Sequence, residues 1–115
     1  MIFDWYFLGL SLILLHELDA MRCHEWRMFP GLASLSEKNG MLAFLLLHIP
    51  LFYWVLTSSF SGSESFRMGF DYFLIIHLIL HLLFLFHKKN EFKDWLSWGI
   101  IVGAAVAGGM DLLNY

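Results

Sequence analysis

Four long apolar stretches alternate along the chain with short polar segments. They run from about Ile2 to Cys23, Gly40 to Leu56, Met68 to Phe86 and Trp95 to Leu113. A helix that crosses the hydrocarbon core of a bilayer needs about 20 mostly apolar residues. The pattern therefore predicts four transmembrane helices, at about residues 2–23, 40–56, 68–86 and 95–113.

The segments between these stretches are brief and rich in turn-forming residues. Their sequences are FPGLASLSEKNG, SSFSGSES and HKKNEFKD, and such short connections favour antiparallel neighbours. We predict an all-α protein, a single domain over residues 1–115 that folds as an up-down four-helix transmembrane bundle. The first stretch has neither a basic start nor a small-residue cleavage site, so we interpret it as a retained span and not as a signal peptide.

The amino-acid composition supports a membrane protein and argues against several other classes of protein. Hydrophobic residues make up 59% of the chain, charged residues 15%, and the mean hydropathy is +0.66, values outside the usual soluble range. The net charge of −3 and the lack of a basic stripe argue against a nucleic-acid partner. The single cysteine, Cys23, excludes an internal disulfide and a thiolate zinc cluster.

The basic residues are distributed unevenly between the two sides of the predicted bundle. One side receives Arg22, Arg27, Lys38, Lys88, Lys89 and Lys93, whereas the other receives only Arg67. Because cytoplasmic loops carry an excess of lysine and arginine, this distribution predicts a multi-pass protein of the cytoplasmic membrane with both termini outside.

Histidines from three predicted helices fall at a similar depth in the membrane. At 1.5 Å per residue, His16 lies about 10 Å above the inner boundary, and His48 and His81 about 12 Å above it. His77 lies one turn from His81 on the same helix face, as two ligands of one ion must. Because ionisable residues inside a membrane are rare and mark functional sites, this layer predicts a metal or cofactor site.

The predicted site combines imidazole and carboxylate groups. Its metal or cofactor ligands are His16, His48, His77, His81 and Glu17. Glu17 or Asp19 would orient a histidine or act as the catalytic base. This ligand set suits a transition metal, iron or zinc above all.

The remaining polar residues near the ends of the spans receive simpler interpretations. Arg22, Glu25 and Arg27 are expected to be solvated charges on the helix surface, and Asp71 an ordinary interface charge. His24 and His87 are expected near the inner interface, where they could form a second site.

Three classes of function remain open. The first is a metalloenzyme, a hydrolase or an oxidoreductase, that acts on a lipid or another hydrophobic substrate by activating water or dioxygen. The second is a subunit of a larger membrane complex in which two of the histidines hold haem or a chlorophyll-type ring. The third is ion or proton transport, which would require polar groups in the outer half, where the sequence offers chiefly Asp71 and Asp111. Small residues in the fourth span, Gly99, Gly103 and Ala107, permit close helix packing and also allow a homodimer.

The segment HELDAMRCHEWRMFPG, residues 16–31, resembles the small bacterial membrane proteins of the HXXEE type. In that family the first span ends in a histidine and acidic motif, followed by an aromatic residue and a Pro-Gly turn. Asp19 occupies the place of the first glutamate of the motif, and Ala20 that of the second. The resemblance implies a polyhistidine bundle in the bacterial inner membrane and supplies no reaction.

Overall fold

The computed structural model describes residues 3–115, and within that range the protein is helical with no β-strand. Five α-helices are present there: α1 (Trp5–Arg22), α2 (Pro30–Ala33), α3 (Glu37–Phe60), α4 (Glu64–Phe84) and α5 (Trp95–Leu112). A 3₁₀ turn, Glu25–Met28, lies between α1 and α2. The prediction of an all-α protein is confirmed, and each of the four long helices covers most of one predicted span.

Three helices in the described range, α3, α4 and α5, are long and apolar enough to cross a membrane. They indicate a membrane protein. Helix α1 is not one of these three, and it carries Glu17, Asp19 and Arg22 within its last six residues. The sequence predicts four transmembrane helices, whereas length and composition identify three, and α1 is the helix that differs.

Each long helix begins at a side chain that caps its first turn. The pairs are Asp4 with the N–H of Phe7, Ser36 with Asn39, Ser63 with Phe66, and Asp94 with Ser97. In every pair the side-chain oxygen accepts a hydrogen bond from a backbone N–H that has no partner inside the helix. The starts of the helices are therefore encoded locally in the sequence.

Helix α5 packs between α1 and α4, and small residues make both contacts close. A Cβ atom on Gly9 would lie 2.7 Å from Leu74 Cδ1, and one on Gly108 would lie 2.8 Å from the carbonyl oxygen of Asp71. On α5, Ile101, Ala104 and Ala107 are completely buried in this packing. The glycines and alanines thus let three helices form a tight core, as small residues do at membrane helix interfaces.

Helix α3 stands at the edge of this core and contacts it at separate levels. The two ends of the helices are called outer, where α3 ends at Phe60, and inner, where it begins at Glu37, as labels only. Near the outer end the Tyr6 hydroxyl is hydrogen-bonded to Ser59 Oγ, and nearer the inner end His48 is bonded to Glu17. At its inner end Gly40 lies against Trp26, with 3.1 Å between its ideal Cβ position and Trp26 Cδ1. This spacing leaves a cleft between α3 and α4.

Two segments close the inner end of the helices: the segment after α1 and the loop between α4 and α5. The sequence pattern predicts simple turns for both. After α1 the chain turns at His24, which has a left-handed backbone conformation with φ of 53°, and the 3₁₀ turn then buries Glu25 and Trp26. The loop between α4 and α5 buries Phe92 completely. The expectation that Glu25 is solvated is therefore wrong, because α1 ends and the chain folds back beneath the bundle.

Candidate metal centre

Three histidines meet in the interior of the protein: His16 from α1, and His77 and His81 from α4. All three are buried, and each offers a ring nitrogen within 4.8 Å of those of the other two. Their ring centroids are 4.4 Å apart for His16 and His77, 4.8 Å for His16 and His81, and 4.5 Å for His77 and His81. Residues that are 61 or more positions apart on two helices thus form one compact group.

Helix periodicity explains why these particular histidines point inward. His77 and His81 continue the buried face of α4 that begins with Phe70 and Leu74. His16 lies on the face of α1 that buries Ile13 and Ala20. Because side chains three, four or seven residues apart share a helix face, the apolar neighbours that pack the core also aim the imidazoles into it.

The nitrogens of this cluster lack hydrogen-bond partners among the described residues. Both ring nitrogens of His16, both of His81, and Nδ1 of His77 are buried without one. Buried polar atoms in folded proteins nearly always have a partner, and leaving one without costs about 1–3 kcal/mol. A bound ion would supply what these nitrogens lack.

Glu25 brings a buried carboxylate to the same group. Its Oε2 lies 3.5 Å from His16 Nε2, and its Oε1 lies 4.0 Å from His81 Nε2. Oε2 has no hydrogen-bond partner in the range 3–115. Glu25 is therefore the acid that lies beside the three clustered histidines. The sequence suggested Glu17 and Asp19 for this role.

Sequence reasoning missed Glu25 because the break after α1 is not visible in the pattern. In a continuous helix Glu25 would lie nine residues, or two and a half turns, after His16 and would face the opposite side. The positive φ of His24 redirects the chain, and such a conformation is uncommon for a residue other than glycine. The only available signal was an acidic residue shortly before Pro30 and Gly31, where the helix had to end.

Phe92 closes the inner side of the cluster. Its ring stacks on His16, with centroids 5.4 Å apart and planes inclined by 28°, and meets His81 edge-on at 4.6 Å. The loop is fixed because Asn90 Oδ1 accepts the N–H of Phe92, and Trp98 Nε1 donates to its carbonyl oxygen over 2.8 Å. The cluster is thereby shielded from the inner surface.

His48 lies outside the group and forms a pair with Glu17. Its Nδ1 donates to the carbonyl oxygen of Phe44 over 2.6 Å, and its Nε2 is 2.6 Å from Glu17 Oε2. With Nδ1 donating to a carbonyl, the short contact at Nε2 requires a proton between the ring and the carboxyl group. The predicted ligands His48 and Glu17 are thus brought together as a hydrogen-bonded pair capable of proton transfer.

Asp19, the other predicted base, ties α1 to the start of α5. It accepts hydrogen bonds from Arg22 Nε over 2.7 Å and from Ser97 Oγ. Arg22 also donates to Asp94 Oδ2, and the N–H of Ser97 together with this arginine lowers the pKa of Asp94. The contacts of Asp19 thus lead towards α5, where it acts as a polar link between two helices.

The other two histidines lie apart from the cluster on the inner surface. His24 Nδ1 is 2.8 Å from Glu91 Oε2, and Arg27 bridges Glu91 and Glu37. Hydrogen bonding to Glu37 raises the pKa of Arg27. His87 Nδ1 accepts the backbone N–H of Lys89. These surface contacts occupy the residues that were considered for a second site.

The cluster can be reached from the cleft between α3 and α4. A cavity of about 370 Å³ in this cleft is lined by the polar residues Glu17, Glu25, His48 and His77 and by apolar residues that include Phe44, Leu47 and Phe73. His77 and Glu25 belong to the cluster, whereas Glu17 and His48 form the neighbouring pair. Both chemical groups therefore face one cleft.

The fold and the site define an all-helical membrane protein with a buried histidine cluster that could hold a metal ion. The chain belongs to a family of unknown function, DUF6713, whose model matches residues 2–115. No curated protein and no solved structure gives a significant match. Membership fits the expected uncharacterised family, does not confirm the HXXEE-type resemblance, and supplies no reaction.

Proposed function

We propose that this protein is a membrane-embedded metalloenzyme that acts on a lipid or another hydrophobic substrate. His16, His77 and His81 hold one transition-metal ion, and Glu25 provides a fourth ligand or a counter-charge. The observation that carries the proposal is the contact of three buried imidazoles whose nitrogens, within residues 3–115, have almost no hydrogen-bond partners.

Iron and zinc are the ions that this ligand set favours. Three imidazoles with a carboxylate suit either metal, and the three nitrogens already lie within 4.8 Å of one another. Zinc would serve to activate water, and iron to activate dioxygen. A substrate would approach from the cleft, where His77 and Glu25 form part of the wall.

The Glu17–His48 pair is suited to move protons during such a reaction. It lines the same cavity as His77, and its short hydrogen bond already holds a proton. A histidine beside a carboxylate can accept a proton and return it near neutral pH. The predicted catalytic role of Glu17 is kept here, with His48 as its partner instead of a metal ligand.

The same proposal places α1 in the membrane as a fourth span. Helix α1 follows α5 from Gly9, which lies beside Ala107, to Asp19, which bonds Ser97. A helix packed along a membrane-spanning neighbour over this length would cross with it. The distribution of basic residues then supports both termini outside a bacterial inner membrane.

The two other functions receive less support from the geometry. A ring cofactor needs a flat slot between two histidines, but the rings of His16, His77 and His81 contact one another, and two of them contact Phe92. Transport needs a continuous polar path, whereas the completely buried Leu74 lies on α4 between Asp71 and His77. A single ion suits the cluster better.

Metal analysis of the purified protein in lipid nanodiscs tests the proposal. We expect about one iron or zinc per chain, and a cobalt-substituted sample should show the visible bands of a histidine-ligated site. His81→Ala should lose the ion, whereas the matched control His87→Ala, at an exposed histidine, should keep it. Wild-type protein that remains free of metal after incubation with Fe²⁺ and Zn²⁺ would contradict the proposal, and a haem spectrum would favour the second function.

A further inference from the structure

The cleft between α3 and α4 extends well beyond the candidate metal centre. A second cavity, of about 390 Å³, lies towards the outer ends of the helices. Leu51 and Phe73 line both cavities, so the two adjoin end to end, and together they are called the groove. From Phe66 to His77 the wall of the groove follows twelve residues of α4, a length of about 16 Å.

The two ends of this groove differ in chemistry. The outer half is lined by Leu51, Trp54, Val55, Ser65, Phe66, Gly69, Phe70 and Phe73, so that Ser65 is its single polar side chain. The inner half adds two acids and two histidines, Glu17, Glu25, His48 and His77. A long apolar wall with a few polar groups at one end is complementary to an amphiphile.

The groove has both free width and a limited length. At Gly69 an added Cβ would meet no atom of the described chain within 4 Å, so the missing side chain leaves open space in the wall. At the outer end the rings of Trp54 and Phe66 meet edge to face, with centroids 5.4 Å apart. A bound chain would therefore fit beside Gly69 and be limited in length by the aromatic pair.

We propose that this groove binds one acyl chain of a lipid amphiphile, with the polar end of the lipid beside His77 and the Glu17–His48 pair. The chemistry at that end rests on the proposed function, but the binding of the chain does not. The groove differs from the convex surface of α5, where Val102 and Val106 are simply exposed, because it is concave and ends at polar groups.

Photolabelling with a long-chain fatty acid that carries a diazirine at mid-chain tests this assignment. The full-length protein in nanodiscs is irradiated, and the labelled residues are mapped by mass spectrometry. We expect labelling between Leu51 and Val55 and between Gly69 and Phe73 that excess unlabelled fatty acid suppresses. Labelling near Val106 should persist, because bulk lipid surrounds that face. Equal suppression at both places, or at neither, would overturn the proposal.

Substitution at Gly69 sharpens the test. Gly69→Phe fills the groove, and the loss of two buried methylene contacts should weaken fatty-acid binding about tenfold. Gly109→Phe is the matched control, since Gly109 on α5 is equally free of neighbours among residues 3–115. Gly69→Leu should shift the preferred fatty acid to a shorter chain, which a folding defect would not do. An unchanged length preference would contradict the groove assignment.

Metal content is measured on the same samples, so that the two proposals can fail separately. Suppressible labelling of the groove in protein that binds no metal would leave the acyl-chain site and remove the metal centre. Stoichiometric metal with labelling that resembles bulk lipid would have the opposite meaning.

Discussion

Two polar clusters, one half-buried and one buried, lie at opposite ends of the same helices, and they are built differently. The outer cluster contains opposite charges: Arg67 Nη2 lies 3.1 Å from Asp4 Oδ1 and 3.7 Å from Asp111 Oδ2, and the guanidinium lies 4.4 Å above the ring of Tyr6. The inner cluster contains three imidazoles and the carboxylate of Glu25, without a cationic side chain in the described part of the cluster.

The difference shows what each cluster needs in order to be stable. Charges that are paired within the protein offset much of the cost of their burial, whereas buried groups without partners do not. In the outer cluster Arg67 is paired with Asp4 and Asp111, although its buried Nε has no hydrogen-bond partner in the described range. Burial, together with the nearby charge of Asp111, raises the pKa of Tyr115 to about 12. The inner cluster brings metal-ligating atoms close together without a cationic partner, and in the proposed metal centre a bound ion would complete it.

Asp71 is the exception within the outer cluster. It is completely buried, and neither of its carboxylate oxygens has a hydrogen-bond partner in the described range. Its neighbour is the carboxyl group of Asp111. A proton shared between the two carboxyl groups would give one of these oxygens a partner.

An apolar layer separates the two clusters. Leu10, Ile13, Leu74 and Ala104 are buried together in it. Because sites without shared partners behave nearly independently, a change in one cluster should leave the other unaffected.

Among the changes that distinguish the two clusters, removal of the metal should have the largest effect on the stability of the protein. A ligand present at a thousand times its dissociation constant stabilises the folded state by about 4 kcal/mol. A strong chelator should therefore lower the unfolding temperature of wild-type protein, measured in detergent, and should have no effect on the double variant His16→Ala/His81→Ala. Equal responses of the two proteins would show that the inner cluster holds no ion.

Glu25→Gln should weaken metal binding without abolishing it. Loss of a carboxylate that binds or orients the ligands of a metal typically lowers affinity 10- to 100-fold. Competition with a coloured chelator measures the change. Glu91→Gln is the control, because Glu91 is an exposed acid of the inner surface. Affinity equal to that of wild-type protein would remove Glu25 from the centre.

Arg67→Ala should destabilise the outer cluster and leave the metal in place. Asp4 would lose the hydrogen bond from Arg67 Nη2, and Asp111 would lose its nearby cation. A hydrogen bond to a charged group contributes about 1.5–3 kcal/mol. The free energy of unfolding should fall by about that amount, whereas metal content should stay near one per chain. Lys93→Ala, at an exposed lysine, serves as the control. Loss of metal in Arg67→Ala would show that the two ends are coupled.

Asp71→Asn should have the smallest effect. The amide N–H can donate to Asp111 in place of the shared proton, so the free energy of unfolding should stay within about 1 kcal/mol of wild type. A loss as large as that in Arg67→Ala would instead indicate that Asp71 is ionised and bound to a cation.

The contents of the site could be predicted only in part. His16, His77 and His81 could be selected from depth and helix periodicity, because both depend on residue spacing alone. His48 has a similar predicted depth, yet it meets Glu17 because α3 stands at the edge of the core. Glu25 and Phe92 come from segments whose folded path depends on contacts distant in sequence.

The sequence by itself determined that the protein is helical and belongs in a membrane. Apolar length and periodicity act over neighbouring positions, so they can be read directly. The predicted starts at about 2, 40 and 68 differ from the observed starts at Trp5, Glu37 and Glu64, because polar capping residues extend or shorten the helices beyond the apolar stretches. Tertiary structure alone decided that α5 packs between α1 and α4, that Glu25 joins the histidines, and that a groove opens beside α3. Those features depend on which helices approach closely, which is set by the packing of residues far apart in the chain.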